Sequence, residues 1–191
     1  MKPATLAPAV GFVTVSIGEM RSFTLTSVLG VFLHSLEMRY GQRDLSYTLL
    51  GIEFGVGGPM IWYPGNRKYV SIMLSLDAAE QPNRALWQLA HECVHLLAPS
   101  GGSHAPVVEE GLAFLFAKEA SMEWGYGFEH DDSVKYIEAA ETTRTWTEVF
   151  PQGIVQTRLL EPCFTKWTPE IICRACVGVA SDLAVALCKP F

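Results

Sequence analysis

Along residues 82–97 the apolar side chains Leu86, Leu89, Ala90, Cys93 and Leu97 recur at helical spacing, while Arg84, Gln88, His91 and His95 stand on another side. Such a division anchors one face of a helix in a core and leaves the other to line a cleft. Pro82 is tolerated in the first turn, where a helix has no use for its missing N–H, and Ala98-Pro99 supplies the stop. Residues four apart on a helix are rotated by only about 40°, so the His91 and His95 imidazoles project together. Two imidazoles one turn apart can reach a single metal ion at roughly 2.0–2.1 Å each. Glu92, between them, is a candidate general base, placed to take a proton from water on such an ion. In 191 residues of this composition, His-Glu-x-x-His arises by chance in about one chain per hundred. The competing reading is a surface helix with two solvated histidines.

Further along comes Val107-Val108-Glu109-Glu110-Gly111-Leu112-Ala113, which offers a carboxylate. Two histidines plus one glutamate leave a fourth position open, the pattern of a catalytic Zn²⁺ site rather than a structural one. Glu109 and Glu110 compete for the third place, and helix angles alone do not settle it. The Glu-Gly step favours Glu110, because Gly111 and Ala113 permit close approach of another backbone. Glu109 then becomes a candidate to orient His91 or His95 through the ring nitrogen not bound to metal. The helix beginning at Pro106 and running to about Trp124 is apolar on most sides, so an ionised Glu110 within it needs a cation. His104, in the Gly/Ser loop before that helix, is a ligand only in a different arrangement and reads rather as a loop residue near the cleft.

His91-Glu92-x-x-His95 followed by Glu110-Gly111-Leu112-Ala113 resembles the gluzincin metallopeptidases, over roughly residues 83–118. The resemblance implies a zincin-like fold, with Zn²⁺ held by His91, His95 and Glu110 and with Glu92 as the base. It also implies an edge strand that pairs with an extended peptide or protein substrate, for which 68–75 is the best local candidate. A Tyr or His from further along the chain is implied as the donor to the developing oxyanion. Tyr126, His130, Tyr136 and Arg144 are the candidates; no local motif selects among them, and for each an ordinary packing or surface role competes. The loop 98–106 is shorter than in the large aminopeptidases of that group, implying a compact version of the fold. The metzincin extension is absent, since no Gly and His follow His95 at the required spacing.

The rest of the chain reads as one domain, 1–191, of α+β class: a small N-terminal antiparallel or mixed sheet, then a helical C-terminal half, with the zinc site at their junction. Strands are expected at 9–17 and 47–54, and at 59–63 and 69–74 as a hairpin through Pro64-Gly65-Asn66-Arg67. A helix is expected at 24–40, ending near Gly41, and others at about 131–147, 152–161, 168–174 and 176–188.

Apolar content of 49% with 18% charged residues argues against disorder. A net charge of −6 with no basic stripe gives nucleic-acid binding no electrostatic support. The first residues lack an uninterrupted apolar run and make a poor signal peptide, and 176–188 is too short to span a bilayer. The five cysteines, an odd count, do not look like a disulfide framework, so five free thiols in a cytoplasmic, reducing compartment are expected. Cys173 and Cys176 form a C-x-x-C pair, but their Ile, Val, Ala and Leu surroundings favour buried apolar thiols over a redox pair or half of a second zinc site. The expectation is therefore a zinc metallopeptidase. A zinc hydrolase of some other amide or ester, and a non-catalytic zinc-binding module, are the alternatives; an intact Glu92 counts against the latter.

Overall fold

The structure, a computed structural model, describes residues 14–16, 22–66, 68–101, 104–126 and 133–191. Thr14–Ser16 (β1) and Ser22–Thr24 (β2) pair antiparallel and lead into α1, Leu25–Tyr40. Of the strand expected at 9–17, residues 9–13 and 17 lie outside the described residues. The Thr24 hydroxyl accepts from Ser27 N–H and so satisfies one of the unpaired donors in the first turn of α1. Leu25, Val28, Leu29, Phe32 and Leu36 of α1 are buried, as the helical period requires.

Three strands form the second sheet: β3 (Thr48–Gly55), β4 (Met60–Trp62) and β5 (Tyr69–Ser75). β4 and β5 form the expected hairpin, with Ile61 opposite Ile72, while β3 lies parallel to β5 on its other side. The order is β3-β5-β4, so the sheet is mixed. This corrects one expectation: 68–75 is the central strand, and β3 and β4 are the edges. A run of β-prone residues reports that a strand forms, whereas its neighbours are decided by chain crossings that the run does not encode. Val70, Ile72 and Leu74 of β5 point alternately inward and are fully buried.

α2, Pro82–His95, packs on β5, on α1 and on α3, Val107–Trp124. Ser75 N–H at the end of β5 donates to the Gln88 side-chain oxygen at 3.0 Å, which ties α2 to the sheet. Each fully buried Leu of α2 (Leu86, Leu89) contributes about 1.5–3 kcal/mol of apolar transfer. α3 is largely buried from Val108 to Ala117. α4, Val134–Val149, crosses α3 at Gly111, where a Cβ would lie 2.3 Å from the Ala139 carbonyl oxygen and from Thr143 Oγ1. Only glycine admits that approach, and it brings the first turn of α4 towards the glutamates of α3.

α5 (Gly153–Leu160), α6 (Pro169–Ala175) and α7 (Ser181–Cys188) complete the helical half. The buried Arg158 guanidinium of α5 donates to the carbonyls of Tyr40, Gly41, Gln42 and Leu97, and so clamps the ends of α1 and α2 together. The helix expected at 176–188 begins only at Ser181. Cys176 closes α6, and Gly178 takes φ +92° in the turn that follows, a break that continuous apolar content conceals. The helix expected at 131–147 runs to Val149; residues 131 and 132 lie outside the described residues. The architecture is α+β, a small mixed sheet before a mainly helical remainder. Among the described residues no helix is long and apolar enough to cross a membrane.

Candidate metal centre

The helical spacing of His91 and His95 sets their rings side by side, with centroids 5.3 Å apart. Their exposed edges meet the first turn of α3. His91 Nε2 lies 3.2 Å from Glu110 Oε2, and His95 Nε2 lies 3.7 Å from Glu110 Oε1. One carboxylate thus faces the same nitrogen of both rings. Glu109 takes a different place: its Oε1 sits 2.8 Å from His95 Nδ1, the opposite ring nitrogen. Adjacent residues on a helix point about 100° apart, so the two glutamates straddle the His95 ring. Side-chain exposure separates them further: 14% for His91, His95 and Glu110 alike, and 2% for Glu109. The first three each keep a small exposed surface, and Glu109 is almost fully enclosed.

Glu92 is buried on α2, between the two histidines in sequence. Single ligand atoms of His91, Glu92 and His95 lie within 4.8 Å of one another, the one such group of three or more His, Cys, Asp or Glu side chains among the described residues. Burial pushes the Glu92 carboxyl up from its ordinary range, and the Glu110 and Glu109 charges add to this while the histidines oppose it. Burial alone would lower the His95 imidazolium. The hydrogen bond and charge of Glu109, with Glu92 and Glu110 behind it, outweigh that effect and lift His95 to about 10. For Glu110 burial acts upward but is overcome by the His91 hydrogen bond and by the His95, His91 and Lys135 charges, so its carboxyl is held low. Three carboxylates therefore converge on two imidazoles, and Glu109 Oε2 remains buried without a hydrogen-bond partner. In the metal-free protein the His95 imidazolium answers part of this buried acidic charge, a place that a bound cation could take.

The donor set suits a borderline-soft divalent ion such as Zn²⁺. Ligand atoms about 2.0–2.1 Å from one tetrahedral ion lie about 3.3 Å from each other. The 3.2 and 3.7 Å separations are near that length but are made by different oxygens of Glu110, and the three ligand atoms that lie within 4.8 Å of one another are those of His91, Glu92 and His95.

The other sequence candidates scatter. Tyr136, in the first turn of α4, stands edge-on to the His91 ring, with centroids 5.8 Å apart. Its phenol is pushed up to about 12 by burial and by the Glu110 and Glu92 charges. Tyr126 is not placed in this way. Its buried hydroxyl has no partner among the described residues, and burial beside Cys93 raises its phenol. Cys93 belongs to the core stripe of α2, so Tyr126 serves the core. Arg144 pairs with Glu141 one turn back on α4. His104 is exposed and joins no ligand cluster among the described residues. His130 lies outside the described residues.

Two residues near the site carried no sequence signal. Lys135 lowers the Glu110 carboxyl by its charge, and Phe191 packs on Tyr136 with ring centroids 4.8 Å apart. The adjacency of Lys135 to Tyr136 was the sole available hint for the first. Nothing local points to the second. Comparison with known protein families, curated proteins and solved structures finds no match for this chain.

Proposed function

We propose that the chain is a zinc-dependent hydrolase of peptides or proteins, a single zincin-like domain of gluzincin type acting in the cytoplasm. The observation that carries this reading is the Glu110 carboxylate set against Nε2 of both His91 and His95. His91, His95 and Glu110 would hold the ion. Glu110 rather than Glu92 completes the set, because each of its oxygens faces one of the two imidazoles. Zinc there would supply a Lewis acid for a carbonyl oxygen and lower the pKa of a bound water towards ~7.

The chain's own residues do the rest. Glu109 accepts from His95 Nδ1, which fixes that ring with Nε2 turned to Glu110 and raises its basicity as a ligand. Glu92, whose buried carboxyl has a raised proton affinity, accepts the proton of the attacking water and returns it to the leaving amine. Tyr136 keeps its phenolic proton through neutral pH and donates a hydrogen bond where negative charge develops on the scissile carbonyl oxygen. The edge strand β4 lies close to α2, and Tyr63 just beyond it accepts from Gly101 N–H at 2.8 Å. An extended substrate pairing with β4 would run along the site and gain main-chain hydrogen bonds. The acidic balance gives neither nucleic acid nor an anionic membrane a reason to bind.

The test is a peptide-library cleavage assay on the zinc-loaded protein, with product sequencing. Wild type should cleave amide bonds. Glu92→Gln should keep the metal and the fold while losing about 10²–10⁴-fold in turnover. Wild-type activity in that variant would remove Glu92 as the base. Ester turnover without peptide cleavage would move the substrate to another acyl compound.

A further inference from the structure

A segment that no motif singles out lies against this site. Residues 189–191 run antiparallel to 105–107, immediately ahead of the turn of α3 that bears Glu109 and Glu110. Val107 N–H donates to Lys189 O at 2.8 Å, Phe191 N–H donates to Ala105 O at 3.0 Å, and Pro106 bridges Pro190. The Phe191 ring is thereby delivered onto Tyr136, with centroids 4.8 Å apart and planes inclined at 44°. The Lys135 ammonium stands 3.8 Å from the centre of the Phe191 ring, within cation–π range. Phe114 of α3 stacks on Tyr136 at 6.3 Å and 17°, and His91 meets it edge-on.

Tyr136 needs such support. It sits in the opening turn of α4, where its N–H donates to the Ser133 carbonyl at 2.9 Å and where helices fray. The turn by itself does not determine where the phenol points. Rings from three other segments do, His91 of α2, Phe114 of α3 and Phe191, and Phe191 makes the shortest centroid approach of the three.

We propose that Phe191 is a positioning residue for Tyr136: pinned by the backbone bridge at 105–107, its ring holds the phenol beside His91. The structural half of this stands on packing alone; its consequence for turnover rests on the hydrolase reading above. Two measurements keep these apart. In metal-free protein labelled with 3-fluorotyrosine, the ¹⁹F signal of Tyr136, assigned by its loss in Tyr136→Phe, should move in Phe191→Ala towards the position of solvent-exposed tyrosine. In zinc-loaded protein, Phe191→Ala should lower kcat for peptide cleavage about 10- to 100-fold with KM unchanged. Phe191→Tyr, which keeps the ring, should restore kcat. Tyr136→Phe/Phe191→Ala should be no slower than Tyr136→Phe alone, since the ring acts only through the phenol.

An unmoved Tyr136 signal in Phe191→Ala would overturn the proposal whatever the kinetics. Additive losses in the double variant would overturn it too. If wild type cleaves no peptide, the hydrolase reading fails and the fluorine spectrum still decides the positioning role. Should Phe191→Ala lose helical circular dichroism, Phe191→Leu, which keeps apolar volume without the ring, carries both measurements.

Discussion

Two stretches of this chain carry metal-ligand spacing, and they end differently. His91 and His95 on α2 are joined by Glu110 from a second helix. Cys173 and Cys176 receive no such third group among the described residues: Cys173 is half-buried in α6, and Cys176 is buried at its end. Burial pushes the Cys176 thiol up, the direction of an inert side chain rather than a thiolate ligand. Cys188 of α7 shares that region, and burial raises it to about 11. All five cysteines are free thiols. The lesson concerns convergence. Spacing within one helix brings two ligands to one side, but a site requires charge and geometry from a second element, and that element must approach closely.

The largest effects should come from breaking the convergence at the histidine site. His91→Ala or His95→Ala should abolish stoichiometric zinc, about one ion per chain in wild type, as read by elemental analysis after gel filtration. Glu110→Ala should likewise lose the ion on mild chelation. Glu109→Ala should retain it with affinity lowered only about 10–100-fold, because it removes a partner of a ligand and not a ligand. A chelator titration of both variants at one pH decides the matter. If Glu109→Ala is the variant that empties the site, the contacts of the two glutamates exchange roles on metal binding and the assignment made here is reversed.

A pH series sharpens the same contrast at intermediate size. His95 has an ordinary pKa of 6.5 and is raised to about 10 in the folded, metal-free chain. A group raised on folding contributes stability that is complete below its unfolded pKa and is lost as pH climbs through its folded one. The Tm of metal-free protein should therefore fall between pH 6.5 and about 10. Glu109→Gln should flatten that slope, since Glu109 supplies both the hydrogen bond and the leading charge. Zinc affinity should show the opposite sign and increase with pH, as the imidazoles must be deprotonated to ligate. Equal slopes in wild type and Glu109→Gln would show that this pair does not govern the dependence.

The smallest effects belong to the thiols. Cys173→Ala and Cys176→Ala should leave zinc stoichiometry and peptide turnover unchanged, and mass spectrometry of alkylated, denatured, non-reduced protein should count five free thiols. Loss of zinc in either variant would make the two regions alike and break the comparison.

Much of the site was legible before any fold was known because its first half is local. The period of an α-helix makes His91 and His95 neighbours whatever surrounds them, and the apolar stripe through Leu86, Leu89 and Cys93 states which side is anchored. The Glu-Gly step at 110–111 carried tertiary information for a specific reason: a glycine that must accept the Ala139 carbonyl marks where two helices touch. The existence of β3, β4 and β5 was legible in the same local way, through β-prone runs and the turn at Pro64-Gly65. Their order was not. Central and edge strands differ in what pairs beside them, and the parallel placement of β3 against β5 is a long-range choice that no run of residues states.

The tertiary structure alone divided the roles of the side chains that look alike in sequence. Glu109 and Glu110 are adjacent, yet the angle at which α3 meets α2 sends one to Nδ1 and the other to Nε2. Tyr126 and Tyr136 are both aromatic phenols near helix ends, yet the first is buried beside Cys93 and the second lies against His91. Phe191 reaches Tyr136 only because a backbone bridge at Pro106 and Pro190 brings distant segments together. Local periodicity decides which residues share a face, because the helix repeats every few residues. Which faces meet is decided by the packing of the whole core, whose interactions depend on distance in space and not on distance along the chain.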